Sequence, residues 1–131
     1  GTFALTIDAE GQETRDVNRA IKRAAADGAS EVHVKNPAGR HSFAVALRSE
    51  GFKVVFEGPV GWYTAGMNYG PHVVVNGNCG WAIGECMMGG RIEVHGHAGS
   101  GTAASIPTSA SWSRPRTASC RPSPWSAPRG R

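Results

Sequence analysis

Cys79, Cys86, His95 and His97 carry the thiol and imidazole donors that a zinc ion prefers. Their spacing, C-x6-C-x8-H-x-H, matches none of the usual zinc patterns, in which ligands arrive in close pairs from tight turns. The expectation is no metal, with the cysteines filling small interior or turn positions and the histidines solvated. A nucleophilic site would need Cys79 or Cys86 beside His72, with a third group orienting the imidazole. No flanking motif supplies one. Glu57, Glu85 and Glu93 fall in separate columns of the repeat described below, so a carboxylate pair for general acid–base work is not expected either. The many glycines invite a phosphate-loop reading, but such loops join a strand to a helix N-terminus. Here each glycine-rich loop leads to another strand. No catalytic residue is expected in this chain.

The side chains suited to recognition are aromatic. Trp62 and Trp81 lie 19 residues apart, and Tyr63 follows Trp62. Turned inward they would be core; turned outward they would make an aromatic strip suited to a partner subunit, since aromatics are enriched at interfaces. Lys53, His72 and Arg91 form a like-charged column that either stays solvated or meets an acidic partner.

The spacing of these residues reflects an internal repeat. Segments beginning at Phe52, His72 and Arg91 align, and Gly58, Gly77 and Gly96 recur every 19 residues. Gly61, Gly80 and Gly99 keep the same step, as do Gly70 and Gly89. Val54, Val73 and Ile92 form one apolar column; Phe56, Val75 and Val94 form another. Polar residues flank these positions, so each segment opens as a strand buried on one face. Glycine is needed where the chain turns with positive φ or where a side chain would strike the neighbouring repeat. One repeat cannot bury its own apolar face, so about three or more must stack. The pattern predicts a mainly β chain: a right-handed parallel β-helix of ~19 residues per coil over 31–106.

Both ends depart from the repeat. Residues 1–30 read as an N-terminal cap with a helix over about 14–27. Thr14 is its expected N-cap, Asp16 lies in its first turn, and Val17, Ala20, Ile21 and Ala24 form its stripe. Glu31–Lys35 reads as a first strand, and Phe43, Val45 and Leu47 alternate again. Residues 107–131 are rich in Ser, Arg and Pro and predict a disordered tail. The period places glycines where Thr108, Pro115 and Ala118 stand, which points to a shifted reading frame as one origin of the tail and a genuine tail as the other. The last repeat, near 98–106, would then leave an open edge that aggregates without a partner.

Charge and composition exclude further classes. The tail holds five arginines (Arg114, Arg116, Arg121, Arg129 and Arg131) and no acidic residue, leaving the rest of the chain with 9 basic and 10 acidic residues. The basic footprint of a nucleic-acid binder is therefore missing from the repeat, and no nucleic acid is expected as a partner. No apolar run reaches the ~20 residues that cross a bilayer, and residues 1–10 lack the basic start and apolar centre of a signal peptide. Three irregularly spaced cysteines do not form a disulfide framework. A cytoplasmic protein is expected.

The runs from Gly58 to Gly70 and from Gly77 to Arg91 resemble the glycine-repeat (GxGxG) C-terminal domain of glutamate synthase large subunits. The stand-alone form, a subunit of N-methylglutamate synthase-type and related split glutamate synthases, is the nearer likeness. Thr14–Asn18, Asn36–Pro37 with Gly39, His41–Ser42 and Ala65–Asn68 resemble it too, and the likeness spans about 14–106. It implies a β-helix that serves as a non-catalytic structural subunit beside a glutamine amidotransferase subunit and an FMN-binding synthase subunit. FMN and an iron–sulfur cluster would belong to those partners, and none to this chain. The complex would act in nitrogen or methylamine metabolism. The equivalent subunit of a formylmethanofuran dehydrogenase-type complex, or a general β-helix adaptor, is the alternative.

Overall fold

The computed structural model describes residues 3–96 and the strand at 110–114. Its elements, in chain order, are β1 (Ala4–Asp8), α1 (Thr14–Ala26), β2 (Glu31–Lys35), β3 (Lys53–Glu57), β4 (His72–Val75), β5 (Gly90–Val94) and β6 (Ala110–Arg114). The strands form one sheet in sequential order; β1 to β5 are parallel, and β6 pairs antiparallel with β5.

The apolar columns sit in hydrogen-bonded register. Val32 pairs with Val54, Val54 with Val73, and Val73 with Ile92. Val34, Phe56, Val75 and Val94 make the second column. All of these side chains are fully or almost fully buried. β-Branched residues suit a pleated surface whose neighbours repeat the same shape, so the columns select the strand conformation and its register together. Helix α1 lays Val17, Ile21 and Ala24 onto this core. The alanine-rich side of the helix permits the close approach.

The expected parallel β-helix is not found. Only one face of each repeat is β-sheet, and among the described residues the returning segments hold no strand, only a single bridge between Val60 and Cys79. The reason lies in the backbone of the returns. Ser42, Ala44 and Ala46, then Tyr63, Ala65 and Met67, then Ala82, Gly84 and Cys86 all have φ between 54° and 69°. Left-handed residues alternating with their neighbours cannot extend into a β-strand. The returns nevertheless bond to one another: Ser42 N–H donates to the Trp62 carbonyl at 2.8 Å, Ala65 N–H to Phe43 at 2.8 Å, and Gly84 N–H to Thr64 at 2.8 Å. The result is one sheet with a stacked, non-extended layer behind it. Of Phe43, Val45 and Leu47, the first and last are buried and Val45 is half-buried, and none of them lies in a strand.

Three further expectations change. Thr14 is the first residue of α1 and not its cap; Glu13 is the N-cap, and its side chain makes no capping bond. Residues before the helix are not only a cap, because Ala4–Asp8 joins the sheet as β1. The tail is not disordered throughout, since Ala110–Arg114 forms β6 along the edge of β5. Residues 97–109 and 115–131, and with them His97, Gly99, the edge expected near 98–106 and the rest of the tail, lie outside the described residues.

Candidate interaction surface

The repeat glycines divide into two physical kinds. Gly58, Gly70 and Gly89 have φ of 144°, 107° and 155° and turn the chain where an L side chain is strained. Gly77 and Gly80 instead lie against the previous repeat. A Cβ on Gly77 would stand 2.7 Å from the Gly58 carbonyl carbon, and one on Gly80 would stand 2.5 Å from Cδ1 of Trp62. Gly61 and Gly96 are equally confined, by His41 and by the Gly77 backbone respectively.

This close stacking shapes an aromatic face. Trp62, Tyr63, Trp81 and Ala82 line an open cleft of about 470 Å³. Gly80 lets Trp62 lie against its repeat, and Tyr63 N–H donates to the Trp81 carbonyl at 3.1 Å, holding the two aromatic segments side by side. Gly66 leaves room for the Tyr63 ring, which a Cβ there would strike. Trp62 is 54% exposed. The inward, core placement open to the tryptophans is thus excluded for Trp62, and the outward strip is what forms. His41 completes it, its ring stacked on Trp62 at 4.9 Å between centroids and its Nδ1 accepting the Trp62 backbone N–H at 2.8 Å. His41 stands 21 residues before Trp62, outside the 19-residue step, so periodicity gave no signal for its part in the cleft.

The outer face of the sheet carries two charged clusters, separated by the buried Val55 and Val74. Glu93 accepts from His72 at 3.0 Å and His95 at 3.2 Å, and pairs with Arg91 at 3.2 Å. The column of Lys53, His72 and Arg91 is therefore not met by like charge alone. Partial burial works to raise the Glu93 carboxyl, but the His95 bond, the His72 and Arg91 charges and the His72 bond together hold it below the ordinary 4.5. His33 bonds to Glu31 and to Glu57, the latter at 3.1 Å, and both carboxylates raise its imidazole above the ordinary 6.5.

The two shifts act in opposite directions on stability. A raised histidine stabilises the fold below its unfolded value and loses that contribution as pH rises through its folded one. A lowered carboxyl stabilises above its unfolded value and loses that as pH falls through its folded one. The ladder therefore contributes most between 4.5 and 6.5. Melting should occur at a higher temperature near about pH 5.5 than near about pH 8, and His33→Gln should reduce the difference. An unchanged difference in His33→Gln would assign it to other groups.

The reactive residues considered from sequence are not gathered into a site. Cys79 is buried, and desolvation pushes its thiol up to about 12, leaving almost no thiolate at neutral pH. Cys86 lies on a returning segment, with φ of 57°. His95 points to the charged face, opposite the core that holds Cys79. Among the described residues no three His, Cys, Asp or Glu side chains converge as metal ligands, and no helix is long and apolar enough to cross a membrane. What the geometry offers is a surface for contact.

No family model matches this chain, and no curated protein or solved structure matches it significantly.

Proposed function

We propose that this chain is a non-catalytic structural subunit of a glutamate synthase-like complex of the N-methylglutamate synthase type, acting in the cytoplasm in nitrogen or methylamine metabolism. The observation that carries the reading is the exposed cleft of Trp62, Tyr63 and Trp81, built from two successive repeats. Large, rigid aromatics held by backbone bonds lose little freedom on binding and bury much area, which is how interface anchors work. The glycine-repeat resemblance over about 14–106 suggests the occupants, a glutamine amidotransferase subunit and an FMN-binding synthase subunit. Those partners would hold FMN and the iron–sulfur cluster.

The test is reconstitution. The purified chain mixed with those two subunits should co-elute with them, and Trp62→Ala should weaken the assembly by about 2 kcal/mol or more, the scale of an interface hot spot. Separate elution of all components would refute the assignment. So would glutamine turnover by the chain alone, which would make it an enzyme. Co-elution with molybdopterin-containing subunits instead would transfer the chain to the formylmethanofuran dehydrogenase-type alternative.

A further inference from the structure

Strand β1 is the end of the sheet, and among the described residues no strand pairs with its outer edge. Four of its five residues are exposed, and only Ile7 is half-buried. Leu5 occupies the same column as Val32, Val54, Val73 and Ile92, yet it is 40% exposed where those four are fully buried. Phe3, on the same face, is 42% exposed. Among the described residues, the apolar column thus runs out to the edge and ends at the exposed Leu5.

The direction of the free backbone groups follows from two bonds. Ser30 N–H donates to the Phe3 carbonyl at 2.9 Å, and Ala9 N–H donates to the Lys35 carbonyl at 2.9 Å. Backbone groups alternate sides along a strand, so Phe3, Leu5, Ile7 and Ala9 face β2. Ala4, Thr6 and Asp8 then aim their N–H and C=O groups outward. The Asp8 carbonyl is taken by Gln12 Nε2 at 2.6 Å, and the others have no partner within the sheet.

We propose that β1 is a self-association edge, with two copies of this chain pairing their β1 strands antiparallel about Thr6 into one continuous sheet. In that register Thr6 lies opposite Thr6, Leu5 opposite Ile7, and Ala4 opposite Asp8. The sequence of β1 is complementary to itself in this arrangement. Each Leu5–Ile7 pair falls on the core face and extends both apolar columns into the second copy, covering Leu5. Each Asp8 meets an alanine, and the two Asp8 side chains stand about 13 Å apart along the ladder, where salt largely screens them. Parallel pairing of the same strands would set Asp8 against Asp8. The contact is isologous, so it closes at two copies and does not propagate. At the opposite end, β6 already occupies the edge of β5.

The whole chain serves for the test. Its mass by light scattering should rise from monomer to dimer with concentration. Over the same range, amide exchange should slow at Thr6 while Leu5 and Ile7, already bonded to β2, stay unchanged. Thr6→Pro removes an outward N–H from each copy without touching the β1–β2 ladder, and should weaken association by about tenfold or more. Leu5→Lys should weaken it as well. Should the proline variant lose its fold by circular dichroism, Leu5→Lys and the amide exchange of the unaltered chain decide the matter. A chain that stays monomeric at every concentration overturns the proposal. So does a dimer in which Thr6 exchange is insensitive to concentration, or one that survives Leu5→Lys unchanged, because either places the contact elsewhere, for instance at the aromatic cleft.

Discussion

Phe56→Ala is expected to cost about 3–5 kcal/mol of folding stability, the usual range for emptying a buried phenylalanine site. Phe56 is fully buried, lies between Val34 and Val75 in its column, and meets the Phe43 ring at 5.3 Å between centroids. It therefore joins the two layers, the sheet on one side and the stacked returns on the other. Domains have only about 5–15 kcal/mol of stability in total, so the variant should be largely unfolded well below the melting point of the parent. Urea titration followed by circular dichroism measures the loss. A loss under about 1 kcal/mol would mean that the core closes without this ring, contrary to the packing described.

Gly77→Ala is expected to be nearly as damaging, though it adds only a methyl group. The new Cβ would stand 2.7 Å from the Gly58 carbonyl carbon and 2.8 Å from the Pro59 nitrogen. These are backbone atoms with no rotamer to change, so relief requires β4 to shift away from β3. Overpacking of this kind typically costs about 1–3 kcal/mol and more where the backbone must move. Gly96 lies on Gly77 in the same way, so a shift at one repeat is passed to the next. Thermal melting of Gly77→Ala should show a drop of several degrees at least, about 4–8 °C per kcal/mol in a small domain. A variant that melts with the parent would show that the repeats are not in contact at that glycine.

These two residues also show what was legible in the sequence. The columns through Val54 and Phe56 could be read because β-branched and aromatic residues recurred at one step, and the paired register follows that step. Helix α1 was legible from its stripe, and Val17, Ile21 and Ala24 are its buried residues. The β-helix was a wrong extrapolation from correct columns. Alternating inward and outward side chains arise from an extended strand, but equally from a backbone that alternates right- and left-handed residues. At Ala44, Tyr63, Ala65 and Ala82 the residue type gives no hint of positive φ; only Gly84 does. Strand β1 was overlooked because its partner β2 is remote in sequence, although Leu5 and Ile7 alternate as a strand requires. Strand β6 was hidden by polar, tail-like composition. The aromatic face was visible as a Trp62–Trp81 column with its direction open, and the stacking of His41 on Trp62 depended on a fold that periodicity does not encode.

The central claim is that the Trp62 face is where a partner docks, and Trp62 can report on this itself. Its indole is 54% exposed in the free chain, so its emission should be that of a solvated tryptophan. Titration with the amidotransferase and FMN-binding synthase subunits should shift the tryptophan emission to the blue, saturably, and Trp62→Phe should reduce the shift, with Trp81 of the same cleft supplying the remainder. Emission that stays red while the complex demonstrably forms would place the contact elsewhere and contradict the account.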